Sequence, residues 1–256
     1  MRRSSGFTLI ELMTVVVILA VIGTLGSGYL VSAVQSYRIS SERAKLIAQG
    51  RQALERMSRE LRQALPNSVR VTGAGNCVEF LPLVAGGNYI GVLPDSSNGA
   101  GGVSSFETGG YQLGPGKARY VYVGALAVAD VYGGDSGAAI SAAEDHSDNI
   151  LSLSAAHQFT RNSVRRRFFL ADNPAAFCFS AAEIRHYADY ATPTSSSGSP
   201  SGAGTLLAAG VSLSGGPFSL SAGTEDRNSV LSMAFNFSRS GETVTLSQQV
   251  FIRNVP

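Results

Sequence analysis

The chain has 256 residues, enough for one good-sized domain beside a membrane segment. Apolar residues supply 44%, sufficient for a real core, while charged residues supply only 15% and Gly, Ser and Ala are abundant, a turn-rich and β-leaning balance beyond the first sixty residues. The formal net charge of +2 is too small to argue for nucleic acid as a partner.

The first element is an apolar helix. From Leu12 to Val34 there is no charged side chain, a run of 23 residues that is long enough to cross a bilayer at about 1.5 Å rise per residue. One carboxylate, Glu11, stands at its start, behind the short basic stretch Met1–Gly6. A carboxylate in apolar surroundings is costly unless it meets a cation. Cutting the chain after Gly6 would create one, the new amino group of Phe7. An ordinary secretory signal is the rival reading, and Val31-Ser32-Ala33 has the small residues of a cleavage site. Against it, the run exceeds the usual apolar length of such signals, about 7–15 residues, and Glu11 would fall inside it.

The helix is predicted to continue. Ile47, Gly50, Leu54, Met57, Leu61 and Leu65 recur at three- and four-residue steps and mark one stripe. Glu55 with Arg59, and Arg56 with Glu60, are spaced for exposed ion pairs. Pro66 ends the helix, since the residue before a proline avoids helical backbone. The result is a helix of about sixty residues, apolar all round in its first half and amphipathic in its second.

Short strands follow. Val69–Val71 and Cys77–Leu83 flank the turn Gly73-Ala74-Gly75-Asn76. Residues 86–116 are rich in Gly, Asn and Ser and read as loops. Arg119–Val123, Ile150–Leu153, Arg165–Leu170 and Phe177–Phe179 are strand candidates, with an acidic loop over Asp130–Asp148. Thr192–Gly204 is a Ser/Pro/Gly loop. Val230–Phe237 and Thr243–Ile252 alternate, and Arg239-Ser240-Gly241-Glu242 reverses the chain between them, predicting an antiparallel hairpin.

The start resembles a type IV prepilin, the precursor of pilins and of type II secretion pseudopilins. Met1–Gly6 is similar to the leader, Phe7 to the new first residue that the family N-methylates, and Glu11 to the family's glutamate. Leader length, Gly, Phe, Glu and apolar run all have to coincide, and they cover about the first thirty residues. More weakly, Gly50–Arg62, Leu65–Arg70 and Gln248–Pro256 resemble minor pilins of the mannose-sensitive hemagglutinin (MSHA) pilus system, which are similar to the PilW and GspJ groups. Major pilins often carry a kinking proline in the later part of the apolar segment. None occurs here between Phe7 and Leu65, and Gly23, Gly26 and Gly28 stand there instead. The flanking charges do not settle orientation, because Arg2 and Arg3 oppose Arg38, Arg43 and Lys45. The resemblance implies that the bulk of the chain is periplasmic. In that compartment Cys77 and Cys178 could pair, closing a loop worth about 4.7 kcal/mol on chain entropy. Two unrelated buried thiols is the alternative.

Other chemistry is weakly signalled. Gly134-Asp135-Ser136-Gly137 has the look of a trypsin-like nucleophile region, but that order needs a histidine earlier in the chain, and the first here is His146. His146, His157 and His186 lack metal-ligand spacing. Asp130, Asp135, Glu144, Asp145 and Asp148 could converge on calcium, although a solvated acidic loop is the plainer reading and the spacing is not that of an EF-hand. Arg165-Arg166-Arg167 could touch DNA, against the commoner alternatives of one inward arginine or a charged sheet edge.

The sequence therefore predicts an α+β protein, a long N-terminal helix packed on a mainly antiparallel β head. Four segments are expected: leader 1–6, transmembrane and assembly helix 7–34, its amphipathic continuation 35–66, and a periplasmic head 67–256. The resemblance implies a non-enzymatic pilus subunit with no cofactor and no catalytic or metal residues. Gly6 and Phe7 would be the cleavage site, Phe7 the methylation site and Glu11 an assembly charge. The partners implied are a prepilin peptidase, major and other minor pilins, the inner-membrane assembly platform and the membrane itself, and nucleic acid is disfavoured. A GspJ-like secretion pseudopilin and a tip adhesin or DNA receptor are the alternatives.

Overall fold

The structure, a computed structural model, describes the chain apart from residues 1–5, 99–100, 135, 142–148, 191–199, 201, 214, 224–226 and 254–256, and the side chain of residue 27. Helix α1 spans Leu9–Arg62, 54 residues or about 81 Å. No proline interrupts it. It ends three residues before Leu65, where the sequence stripe had carried it, because the next backbone groups are taken elsewhere. The Leu65 N–H donates to the Leu81 carbonyl at 2.8 Å, and the Leu83 N–H donates to the Gln63 carbonyl at 3.1 Å. The chain before Pro66 thus leaves the helix as an extended pairing segment, as a residue preceding proline favours.

Among the described residues, a 3-10 turn at Gly73–Gly75 follows, as do fifteen strands and one short α-helix. They are β1 (Arg70–Thr72), β2 (Cys77–Phe80), β3 (Leu83–Asn88), β4 (Val103–Glu107), β5 (Tyr120–Val123), α2 (Val128–Tyr132), β6 (Gly137–Ala139), β7 (Ile150–His157), β8 (Arg167–Ala171), β9 (Ala175–Ser180), β10 (Glu183–Ala188), β11 (Thr205–Ala209), β12 (Val211–Ser212), β13 (Phe218–Ser221), β14 (Ser229–Arg239) and β15 (Glu242–Ile252). One sheet has the order β1-β2-β9-β10-β11, a second β3-β8-β5-β6, and β4 pairs β7. In the last sheet β14 is flanked by β15 on one side and by β12 and β13 on the other. The pairings between named strands are antiparallel. The architecture is α+β, as predicted.

The β14–β15 hairpin closes on a two-residue loop, Ser240 and Gly241, with φ of 51° and 86° between the paired Arg239 and Glu242. Two consecutive positive φ angles are what a twist-matched tight turn demands, and glycine supplies one without strain. The alternation then sends Leu231, Met233, Phe235 and Phe237 inward. These meet α1 through Leu46, Ala53, Leu54, Met57 and Leu61, and the same core takes in Val78, Phe80, Phe177 and Ile184 of the first sheet. Gly50 sets the closest approach. A Cβ there would stand 2.4 Å from Leu246 Cδ1 and 2.9 Å from the Phe237 ring.

Residues between β2 and β9 build a second core around Phe106, Val121, Phe159, Phe168 and Leu170. Leu65, Leu81, Tyr122, Val131 and Ala171 pack in a smaller cluster.

Several expectations need correction. Leu46, not Ile47, is the fully buried start of the helix stripe. Arg56 and Glu60 pair at 3.0 Å, whereas no Glu55–Arg59 ion pair forms among the described residues. The stretch 86–116 contains β4, and the stretch 130–148 contains β6 and most of α2, besides residues outside the description. Much of the 192–204 loop also lies outside the described residues.

Candidate functional site: the bare helix and its junction with the head

The first half of α1 touches nothing. Its apolar side chains from Leu9 to Ile39 are exposed, with Leu9 at 77% and Tyr37 at 76%. Among the described residues this is the one helix long and apolar enough to cross a membrane. Each large apolar side chain left in water forgoes about 1.5–3 kcal/mol, so the segment requires lipid or other apolar helices around it. Glu11 lies in the first turn of α1, exposed among these side chains. Thr14 Oγ1 donates to the Glu11 backbone carbonyl at 2.9 Å. Gly6 and Phe7 precede the helix, and Phe7 is 76% exposed. A Cβ at Gly6 would meet no atom of the described residues within 4 Å, so nothing among them demands glycine there.

The second half is locked to the head by packing and by charge. His186 on β10 sits against α1, with Nε2 3.1 Å from Glu60 Oε2 and Nδ1 3.3 Å from Arg56 Nη2. Its ring stacks on Phe177 at 4.8 Å. Burial alone would raise the Glu60 carboxyl, but hydrogen bonds from His186 and Arg56 outweigh it and hold the group below the ordinary range. Residues 56 and 186 are 130 positions apart, so sequence spacing showed only the Arg56–Glu60 half of this triad.

A buried network stands beneath the first sheet. Glu79 is 1% exposed. Its Oε2 pairs with Arg70 at 2.6 Å, and its Oε1 accepts from the Tyr190 hydroxyl at 2.9 Å. The Arg70 guanidinium also lies 3.6 Å from the centre of the Tyr132 ring. Burial, with the Glu79 charge beside it, pushes the Tyr190 phenol well above its usual value. Cys77 and Cys178 are opposite each other in the β2–β9 ladder and are joined by a disulfide, S–S 2.05 Å.

The remaining candidates disperse. Ser136 is buried and its hydroxyl donates to Thr160 Oγ1 at 3.3 Å, while Asp135 and His146 lie outside the described residues. Of the acidic group, Asp130 caps α2 by accepting from the Leu126 and Ala127 N–H groups and pairs with Arg161. Asp135, Glu144, Asp145 and Asp148 lie outside the description, and no group of three metal-ligating side chains occurs among the described residues. Arg165 and Arg166 are exposed in the turn entering β8, and Arg166 has φ of 53°. None of the three arginines 165–167 faces a carboxylate among the described residues. Sequence reading also missed Asp95, whose carboxylate takes hydrogen bonds from Ser97, Asn98 and Asn162 and is held far below the usual range, chiefly by the Ser97 hydroxyl. It ties the 93–98 turn to Asn162.

A bare apolar helix with one carboxylate in its first turn, joined to a β-rich head, is the build of a pilin-type subunit. The family described as the prokaryotic N-terminal methylation motif matches residues 1–27, which supports a type IV pilin-like family, pilin or pseudopilin. No curated protein and no solved structure matches the chain.

Proposed function

We propose that this chain is a minor type IV pilin of an MSHA-like pilus, most similar to the MSHA biogenesis protein MshO, and that it acts in pilus assembly at the filament tip. The observation that carries the reading is the uncovered apolar half of α1 with Glu11 in its first turn, behind a matched methylation motif. The precursor sits in the inner membrane with residues 67–256 in the periplasm. Prepilin peptidase cuts between Gly6 and Phe7 and the Phe7 amine is methylated. In the filament, the Glu11 carboxylate of one subunit pairs with the Phe7 amine of a neighbour inside an apolar bundle, with major and other minor pilins supplying the neighbouring helices. An unpaired carboxylate there would cost several kcal/mol, so the pair checks register as a subunit docks. The protein is a structural part and the substrate of an enzyme.

Mass spectrometry of the native N-terminus tests the reading. It is expected to begin at N-methylated Phe7, and a chain still carrying Met1, or starting near residue 34, refutes it. Glu11→Ala should be processed normally yet fail to enter filaments, and normal incorporation refutes the charge pair. The motif is shared by pseudopilins, so a GspJ-like role in protein export is the second reading. Deletion separates the two: loss of pili supports the first, loss of secretion with intact pili the second.

A further inference from the structure

Six arginines on the head and helix have carboxylate partners: Arg56, Arg70, Arg119, Arg161, Arg185 and Arg239. Of the arginines with no carboxylate partner among the described residues, three line one cleft. Arg62 ends α1, Arg167 opens β8 and Arg253 follows β15. The cleft has a volume of about 770 Å³ and an apolar side formed by Leu83, Val84 and Phe169. No acidic side chain lines it among the described residues. Arg62 has an ordinary explanation, since a cation in the last turn complements the helix dipole. Arg167 and Arg253 have none, and gathering like charges without a counter-charge is unfavourable.

A second cleft of about 360 Å³ continues from the first, sharing Arg62 and Gln63 and reaching Ser58 and Gln248. The Ser58 hydroxyl is 2% exposed and has no hydrogen-bond partner among the described residues. A buried hydroxyl left unpaired is destabilising unless something supplies the partner. Glu55 and Arg59 both line this second cleft, whereas the first has arginines and no carboxylate among the described residues, so negative charge on a ligand belongs in the first.

We propose that this groove binds an extended acidic peptide segment of a partner protein. Its carboxylates engage the forked donors of Arg62, Arg167 and Arg253, its apolar side chains lie on Leu83, Val84 and Phe169, and its backbone pairs with the Ser58 hydroxyl. Two linked clefts suit an extended chain better than a compact anion, and the apolar side is wasted on a fully hydrated polyanion. The proposal stands whether or not the chain is a pilin.

The test uses the full chain in maltoside micelles and fluorescence anisotropy of a labelled peptide alternating Glu and Leu, beside its Gln-Leu counterpart and a single-stranded oligonucleotide of equal length. The Glu-Leu peptide should bind saturably and more tightly than the other two. Arg62→Gln, Arg167→Gln and Arg253→Gln should each weaken it about tenfold, the loss expected for one charge-assisted hydrogen bond. The exposed control Arg51→Gln should not weaken it. Ser58→Ala should weaken binding while leaving the melting temperature unchanged or higher, which a merely structural serine would not do. Arg253 follows the last strand, so its variant keeps the test valid if the others unfold. Absence of saturable binding, equal affinity for the Gln-Leu peptide, tighter binding of the oligonucleotide, or undiminished affinity in Arg253→Gln overturns the proposal.

Discussion

Replacing Glu79 by Gln removes the charge from a buried group with two partners while keeping its shape. Arg70, whose side chain is 12% exposed, then loses the charge of the carboxylate it pairs with, while the Tyr132 ring stays beside its guanidinium. Breaking a buried pair from one side costs about 3–5 kcal/mol. Tyr190→Phe removes a single hydrogen bond to an ionised acceptor, about 1.5–3 kcal/mol, but in the Glu79→Gln background the lost bond is neutral and the cost falls to about 0.5–1.5 kcal/mol. A double-mutant cycle should therefore show positive coupling on the order of 1 kcal/mol between positions 79 and 190. Thermal and urea unfolding of the full chain in micelles, followed by near-ultraviolet circular dichroism, measures each corner. At about 2–4 °C per kcal/mol for a head of this size, Glu79→Gln should lower the midpoint by about 6–20 °C. A fall of less than about 2 °C, or strictly additive single effects, would refute the view that Glu79 is the hub of the network.

Other outcomes follow from the same geometry. Gly50→Ile should drive a side chain into Leu246 and Phe237 and destabilise the head by about 1–3 kcal/mol, read as a lowered urea midpoint. Glu60 titrates lower in the folded chain than its ordinary 4.5. Its contribution is therefore fully present above that value and lost as the pH falls through the folded one. His186→Asn should shrink this acid-side loss, seen by comparing melting temperatures on either side of pH 4.5. Gly6→Val should block maturation although the fold has open space at that position, and a normal Phe7 N-terminus in the variant would contradict the cleavage assignment.

The features legible in the sequence are those whose cause is local. The unbroken apolar run fixes α1, the three- and four-residue stripe turns its second half to the head, and alternation with a Ser-Gly reversal gives β14 and β15. The strands β10 to β13 escaped notice because their pattern is poor. In β10 only Ile184 is fully buried, and the strand is held by backbone pairing to β9 and β11 rather than by an apolar face. The Glu79–Tyr190 contact spans 111 positions and leaves no local trace. The helix end was overextended because the backbone partners of Gln63 and Leu65 come from Leu83 and Leu81, which no spacing rule anticipates.

Strands β2 and β9 are immediate neighbours, with Phe80 opposite Ala175, yet the whole of the second sheet and its core is threaded between them. The chain departs and returns at almost the same spot, and the bond between residues 77 and 178 pins the neck of that excursion. Residues 83–171 are thus hung on the helix-bearing body like a tool on a fixed handle. The outer loops of such a lobe can lengthen or shorten while the ladder beneath stays whole, as long as Tyr132 over Arg70 and the packing of Tyr122, Val131 and Ala171 on Leu65 and Leu81 are kept.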